Sequence, residues 1–112
     1  MAYDEELATR IRERLAGEPD VTEQRMFGGL AFLLGGHMAV AAINAGGMMV
    51  RVGQDAADAL VDDDGQATVV EMRGRPMRGW LEVAAGQVQT DAQLAAWVDR
   101  GVALVRSLPP KA

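Results

Sequence analysis

Five arginines in the middle of the chain have the chemistry to bind an anion. Arg73, Arg75 and Arg78 fall close together, in a segment that also carries glycine, proline and tryptophan. Arg25 and Arg51 lie in a long interval that contains no acidic residue. Guanidinium groups bind carboxylates and phosphates through paired hydrogen bonds. The five arginines are therefore a candidate patch for an anion or a partner.

The same residues have a second interpretation, which the sequence leaves open. Residues 73–79 are typical of an irregular, solvated connection, whose arginines would pair with Glu71 and Glu82. Arg25 and Arg51 have no carboxylate close in sequence, so a distant residue or a ligand must neutralise them. We expect the two to project from one face of a curved sheet, with residues 73–79 closing over that face.

The residue types needed for catalysis are scarce. The chain has one histidine, His37, one serine, Ser107, and no cysteine. Nothing in the pattern brings Ser107 to His37, as a serine nucleophile and its base would require. His37 follows two glycines and is predicted to be a turn residue that tolerates an unusual backbone conformation. We therefore predict no catalytic residue and no enzyme.

A metal site would have to be built from carboxylates. Asp62, Asp64, Gly65 and Glu71 match four positions of a calcium-binding loop, but Leu60 occupies the position of the first oxygen ligand. An ordinary solvated turn is the favoured interpretation. We expect neither a metal nor another cofactor.

Two amphipathic helices are predicted at the ends of the chain. Tyr3, Leu7, Ile11 and Leu15 recur at helical spacing in the first. In the second, Thr90 and Gln93 have the spacing of a capping box. Its predicted buried stripe includes Leu94, Trp97, Val98, Gly101 and Val105, and Gly101 indicates a close backbone approach.

Between these helices the pattern predicts six strands and a short helix. Glycine pairs separate short apolar runs, as in a meander of hairpins. The predicted strands are 21–26, 30–34, 38–43, 48–52, 68–72 and 80–83, and the short helix is 54–61. The expected order is α-β-β-β-β-α-β-β-α. This order favours an α+β fold of two layers, in which an antiparallel sheet packs against helices.

Composition restricts the class of protein. The 112 residues, 49% hydrophobic and 24% charged, fit a single globular domain over residues 1–112. A net charge of −5 argues against direct nucleic-acid binding. There is no basic and apolar leader and no apolar run long enough to span a membrane. These features, with the absence of cysteine, predict a cytoplasmic location.

Methionine and the strand edges bear on assembly. Most of the seven methionines lie in or beside predicted strands, where they either fill the core or form an adaptable interface; we favour the core. A meander also leaves edge strands with unpaired backbone groups. We therefore predict a homodimer.

Several segments together resemble the TfoX N-terminal domain family. They are Arg25 to Phe32, Gly36 to Ala39, Met49 to Gly53, Gly74 to Trp80, and the ending from Leu94 to Pro109. The resemblance covers essentially the whole chain and implies a curved antiparallel sheet with helices. It also implies kinship with bacterial competence regulators, which work with a cyclic-AMP-dependent transcription activator and are not enzymes. Those regulators carry a second, C-terminal helical domain, whereas this sequence stops at Ala112. We therefore expect a stand-alone N-terminal domain.

Two hypotheses of function follow. The first is a non-enzymatic interaction domain, acting as a transcription co-regulator through protein contacts. The alternative is a small-ligand or anion-binding domain that uses the arginine patch.

Overall fold

Two α-helices and six strands form the described parts of the fold. The computed structural model describes residues 4–26, 29–43, 47–53, 67–72 and 74–108. The elements are α1 (Glu5–Arg14), β1 (Val21–Met26), β2 (Gly29–Leu34), β3 (His37–Ala42), β4 (Met48–Arg51), β5 (Ala67–Met72), β6 (Arg75–Val83), a 3-10 helix (Ala85–Gln87) and α2 (Asp91–Arg106). The α+β class is confirmed, and the short helix predicted at 54–61 lies outside the described residues.

Both helices begin at a capping side chain. The Asp4 carboxylate accepts hydrogen bonds from the N–H groups of Glu6 and Leu7 at the start of α1. Thr90 and Gln93 form the predicted capping box at the start of α2. The predicted buried stripe of α2 is also confirmed: Leu94, Trp97, Val98, Gly101 and Val105 are all buried.

The strands form one antiparallel sheet in the order β1-β2-β3-β4-β6-β5. The turn between β2 and β3 consists of Gly35 and Gly36, which both have positive φ, +58° and +87°. Such values suit the two-residue turn that follows the twist of a hairpin. The prediction that His37 is a turn residue is wrong, because it opens β3 opposite Leu34. The two glycines take the unusual backbone conformation instead.

Residues 75–79 belong to a strand and not to an irregular connection, and this corrects the sequence prediction, although the pairing of β5 with β6 shifts register between Val69 and Glu71. Strand β6 begins at Arg75, which pairs with Met72 of β5, and Gly74, directly before it, has φ +78°. Pro76 is tolerated because its nitrogen points away from β5, and β4 pairs with β6 only from Trp80 onward. The glycine and proline residues therefore belong to a tight hairpin turn and to the long strand β6 that follows it.

The main core lies between the sheet and the helices. Alternation along β2 directs Leu30, Phe32 and Leu34 toward α1 and α2, and all three are buried. A smaller buried cluster lies on the opposite face of the sheet: Ala31, Ala41, Ile43, Met49 and Val70.

The methionines described on β4 are core residues. Met48 is buried between the sheet and the helices, and Met49 is buried on the opposite face. This confirms the favoured interpretation for these two residues. The side chains of Met26, Met72 and Met77 lie outside the described part of the chain.

Gly101 is needed where α2 crosses β3. A Cβ atom at this position would lie 2.7 Å from the Ala39 carbonyl oxygen and 2.9 Å from Cγ1 of Val40. We expect Gly101→Ala to lower the free energy of unfolding by about 1–3 kcal/mol, because the helix must move off the strand. Chemical denaturation measures this, with Gly86→Ala as the control, since a Cβ atom there has no neighbour within 4 Å. An equal loss in both variants would contradict the close approach.

Candidate functional site

The strand register separates two arginines of the predicted patch. Arg25 on β1 pairs with Leu30, which belongs to the helix-facing core. Arg51 on β4 pairs with Trp80, which packs against the cluster on the opposite face. Directly paired residues point to the same face of a sheet. Arg25 and Arg51 therefore lie on opposite faces, and the prediction that they share one face is wrong.

Two further members of the patch lie on β6. Arg75 and Arg78 are residues of this strand, but their side chains lie outside the described part of the structure, and Arg73 is not among the described residues. The guanidinium of Arg51 lies 5.8 Å from the centre of the Trp80 ring. An aromatic face attracts a cation. Arg51 thus has a neighbour that the acid-free interval around it did not suggest.

His37 and Ser107 are not arranged as a nucleophile and its base. His37 is half-buried in a shallow cleft of about 200 Å³, beside Asp20 and Arg106. Ser107 does not line this cleft, and its hydroxyl donates a hydrogen bond to the Leu104 carbonyl at 2.6 Å. The hydroxyl therefore bonds to the last turn of α2, at the C-cap of the helix.

Arg106, in the same cleft, forms ion pairs with two carboxylates. Its guanidinium donates to Glu18 at 2.7 Å and to Asp20 at 2.8 Å. Hydrogen bonding to Arg106 is the main reason that the pKa of the Asp20 carboxyl lies below its usual value. The pairs fasten the end of α2 to the segment before β1. They also leave Arg106 a poor site for a further anion.

This lowered pKa predicts a loss of stability in acid. A carboxyl whose pKa is lower in the folded state stabilises the fold above its unfolded pKa, about 3.9, and stops doing so as the pH falls through the folded pKa. We expect Asp20→Asn to be less stable than the wild type at pH 7 and nearly equal to it at the lowest pH at which both fold. Thermal melts over this range measure the difference. A difference that does not change with pH would contradict the expectation.

Strand β1 is exposed over most of its length. Thr22, Glu23, Gln24 and Arg25 are all exposed, although they alternate between the two faces. Among the described strands only β2 pairs with β1, so the other side of β1 is an edge. We call this side the β1 edge.

The register shows which backbone groups the β1 edge presents. Met26 and Gly29 pair with only two residues between them, so they must be hydrogen-bonded to each other. Alternation then directs the backbone groups of Gln24 toward β2 and those of Glu23 and Arg25 outward. Asp20 lies four residues before Gln24, so its backbone should point the same way as that of Gln24. Its carbonyl does accept a hydrogen bond from the N–H of Gly35, just after β2, at 3.2 Å.

Glu23 is a residue of this edge that the sequence analysis did not select. Its carboxylate accepts a bidentate pair from Arg12 of α1, at 2.5 and 2.8 Å, and this bonding lowers the pKa of Glu23. Glu23 and Arg25 lie on the same face, two residues apart. The signal in the sequence was four consecutive polar residues on a strand, which is typical of an edge.

Metal binding has no support from the described part of the chain. Within it, no three His, Cys, Asp or Glu side chains form a group that could hold a metal ion. Asp62, Asp64 and Gly65 lie outside it, as does the side chain of Glu71. None of the described helices has the length and apolar character to cross a membrane.

The comparison that decides the family is with the TfoX N-terminal domain, whose family model matches residues 13–104 of the 112-residue chain. The chain belongs to the TfoX N-terminal domain family. No curated protein and no solved structure matches it significantly. The match confirms the resemblance predicted from the sequence. Within this TfoX N-terminal domain, the matched residues include the whole of β1 and nearly all of α2.

Proposed function

We propose that this TfoX N-terminal domain is a non-enzymatic interaction domain, which acts as a transcription co-regulator by binding protein through the β1 edge. The observation that carries the proposal is the exposed strand β1, whose outward backbone groups include those of two charged residues, Glu23 and Arg25. An open strand edge binds a further strand by backbone hydrogen bonds, while the side chains select the partner. Kinship with transcription regulators agrees with this role.

A proline on the β1 edge tests the proposal. Proline at position 25 removes an N–H that points outward, and it leaves the bonds between β1 and β2 in place. We expect the immobilised wild-type domain to retain a protein from a lysate of its native cells, and Arg25→Pro to retain much less of it. Arg25→Ala separates the loss of the N–H from the loss of the charge.

The control for this experiment is Glu13→Arg, which changes an exposed residue of α1 and leaves every residue of β1 unchanged. It should retain the partner as well as the wild type does. If the wild type and Arg25→Pro retain the same proteins, or if the wild type retains neither another protein nor a further copy of the domain, the proposed function is wrong.

The anion-binding alternative makes a different prediction. If the arginines hold an anion, millimolar phosphate or sulfate raises the melting temperature, and replacing Arg51 and Arg75 by glutamine abolishes the rise. The separation of Arg25 from Arg51 and the position of Arg51 near Trp80 favour the interaction domain instead. We therefore expect these anions to leave the melting temperature of the wild type unchanged.

A further inference from the structure

We infer that the occupant of the β1 edge is a second copy of this chain, paired antiparallel about a twofold axis at Gln24. This inference rests on the proposed function, since it names the partner for the same edge. In this arrangement the sheets of the two copies become continuous, and the helices of both lie on one side.

The backbone limits the registers that a symmetric pair can use. Only residues whose groups point outward can bond across the new edge, and on β1 these are Val21, Glu23 and Arg25. An antiparallel twofold pair must therefore match these residues with one another. The axis can pass through residue 22, 23, 24 or 25, and each choice brings different side chains together.

Charge selects one of these registers. With the axis at Gln24, Glu23 of each copy lies directly opposite Arg25 of the other, and both lie on the helix-facing side. An axis at residue 23 places Glu23 against Glu23, and an axis at residue 25 places Arg25 against Arg25. Opposite charges on paired residues stabilise two strands, and like charges destabilise them. An axis at residue 22 sets apolar Val21 against Glu23.

The pairing also supplies a partner for Arg25. The structure shows no ion pair between Arg25 and any described residue, and the side chain is exposed. Glu23 already holds Arg12, so its position is fixed before association. A single-sign charge on an edge strand guards against association. The opposite charges of Glu23 and Arg25, on one face of β1, instead allow the strand to pair with a second copy of itself.

Charge reversal tests this arrangement in solution. We expect the wild type to show reversible dimerisation in sedimentation equilibrium over a concentration series. Glu23→Arg sets two arginines against two arginines, and Arg25→Glu sets acids against acids. Each variant should associate about tenfold more weakly than the wild type. Glu13→Arg, which makes the same change of net charge as Glu23→Arg, should associate as the wild type does.

A mixture of the two variants gives the sharper result. Glu23→Arg carries two arginines at positions 23 and 25, and Arg25→Glu carries two glutamates there, so the mixed pair is complementary at both contacts. We expect a one-to-one heterodimer that is tighter than either homodimer. Circular dichroism verifies that both variants are folded. A mixture that associates no better than its components overturns the inference.

The outcomes separate this inference from the proposed function. If the wild type remains a monomer near 11.9 kDa while Arg25→Pro loses a protein partner, the second copy is the wrong occupant and the proposed function stands. If a dimer forms in the stated register but the lysate yields no other protein, the inference stands and the co-regulator role does not. If the wild type neither dimerises nor retains a partner, both are wrong.

Discussion

Replacing Trp97 by alanine is expected to lower the free energy of unfolding by about 3–5 kcal/mol. Trp97 is 8% exposed and lies on the stripe of α2 that packs against the sheet. The Arg100 guanidinium lies 4.6 Å from the centre of its ring and covers part of it. A single domain is stable by about 5–15 kcal/mol, so this loss could unfold much of the protein. Urea denaturation followed by circular dichroism measures it.

Trp80 provides the matched control for this substitution. It is only half-buried, on the face of the sheet away from the helices. We expect Trp80→Ala to cost clearly less than Trp97→Ala, because less apolar surface is removed from water. Fluorescence quenching gives an independent readout, since acrylamide should reach Trp80 more readily than Trp97. Quenching of Trp97 as strong as that of Trp80 would show that the face of α2 is wrongly assigned.

Replacing Phe32 by alanine is expected to have an effect of similar size, about 3–5 kcal/mol. Phe32 is fully buried between Glu23 of β1 and Val40 of β3, on the side covered by the helices. The control is Leu33, the next residue, which is half-buried on the opposite face. Leu33→Ala should cost much less, as judged from the same urea transitions. Equal costs would contradict the assignment of the two faces of β2.

The helices were predictable because their signals are local. The capping side chains of Asp4 and Thr90 lie within three residues of the groups they bind, and the apolar stripe of α2 repeats at helical spacing. The first four strands were also predictable to within one residue at each end. Their glycine turns and apolar runs are equally local features.

The start of β6 was missed because glycine and proline have more than one meaning. Gly74 lies at the tight turn before β6, Pro76 lies where its nitrogen needs no partner, and Gly79 has φ +87° without ending the strand. The carbonyl of Gly79 accepts bonds from the N–H groups of Val52 and Gly53, at 2.8 and 3.0 Å. Composition alone does not distinguish this arrangement from a surface loop.

The candidate site was only partly predictable, since it depends on which strands pair. A shift of one residue moves a side chain to the other face of a sheet. The sequence indicated neither that Arg25 pairs with Leu30 nor that Arg51 pairs with Trp80. It therefore could not show that the two arginines are apart. An open strand edge was predictable in general, whereas the pairing of Glu23 with Arg25 required the register.

A disulfide cross-link between two copies tests the central claim most directly. The chain contains no cysteine, so Gln24→Cys and Thr22→Cys each introduce a single thiol on the same face of β1. With the twofold axis at residue 24, the thiols introduced at this position in the two copies are directly opposed, at a distance that permits a disulfide. Residue 22 instead lies opposite residue 26. We predict that mild oxidation converts Gln24→Cys, and not Thr22→Cys, to a covalent dimer; equal cross-linking of both, or of neither, would contradict the account.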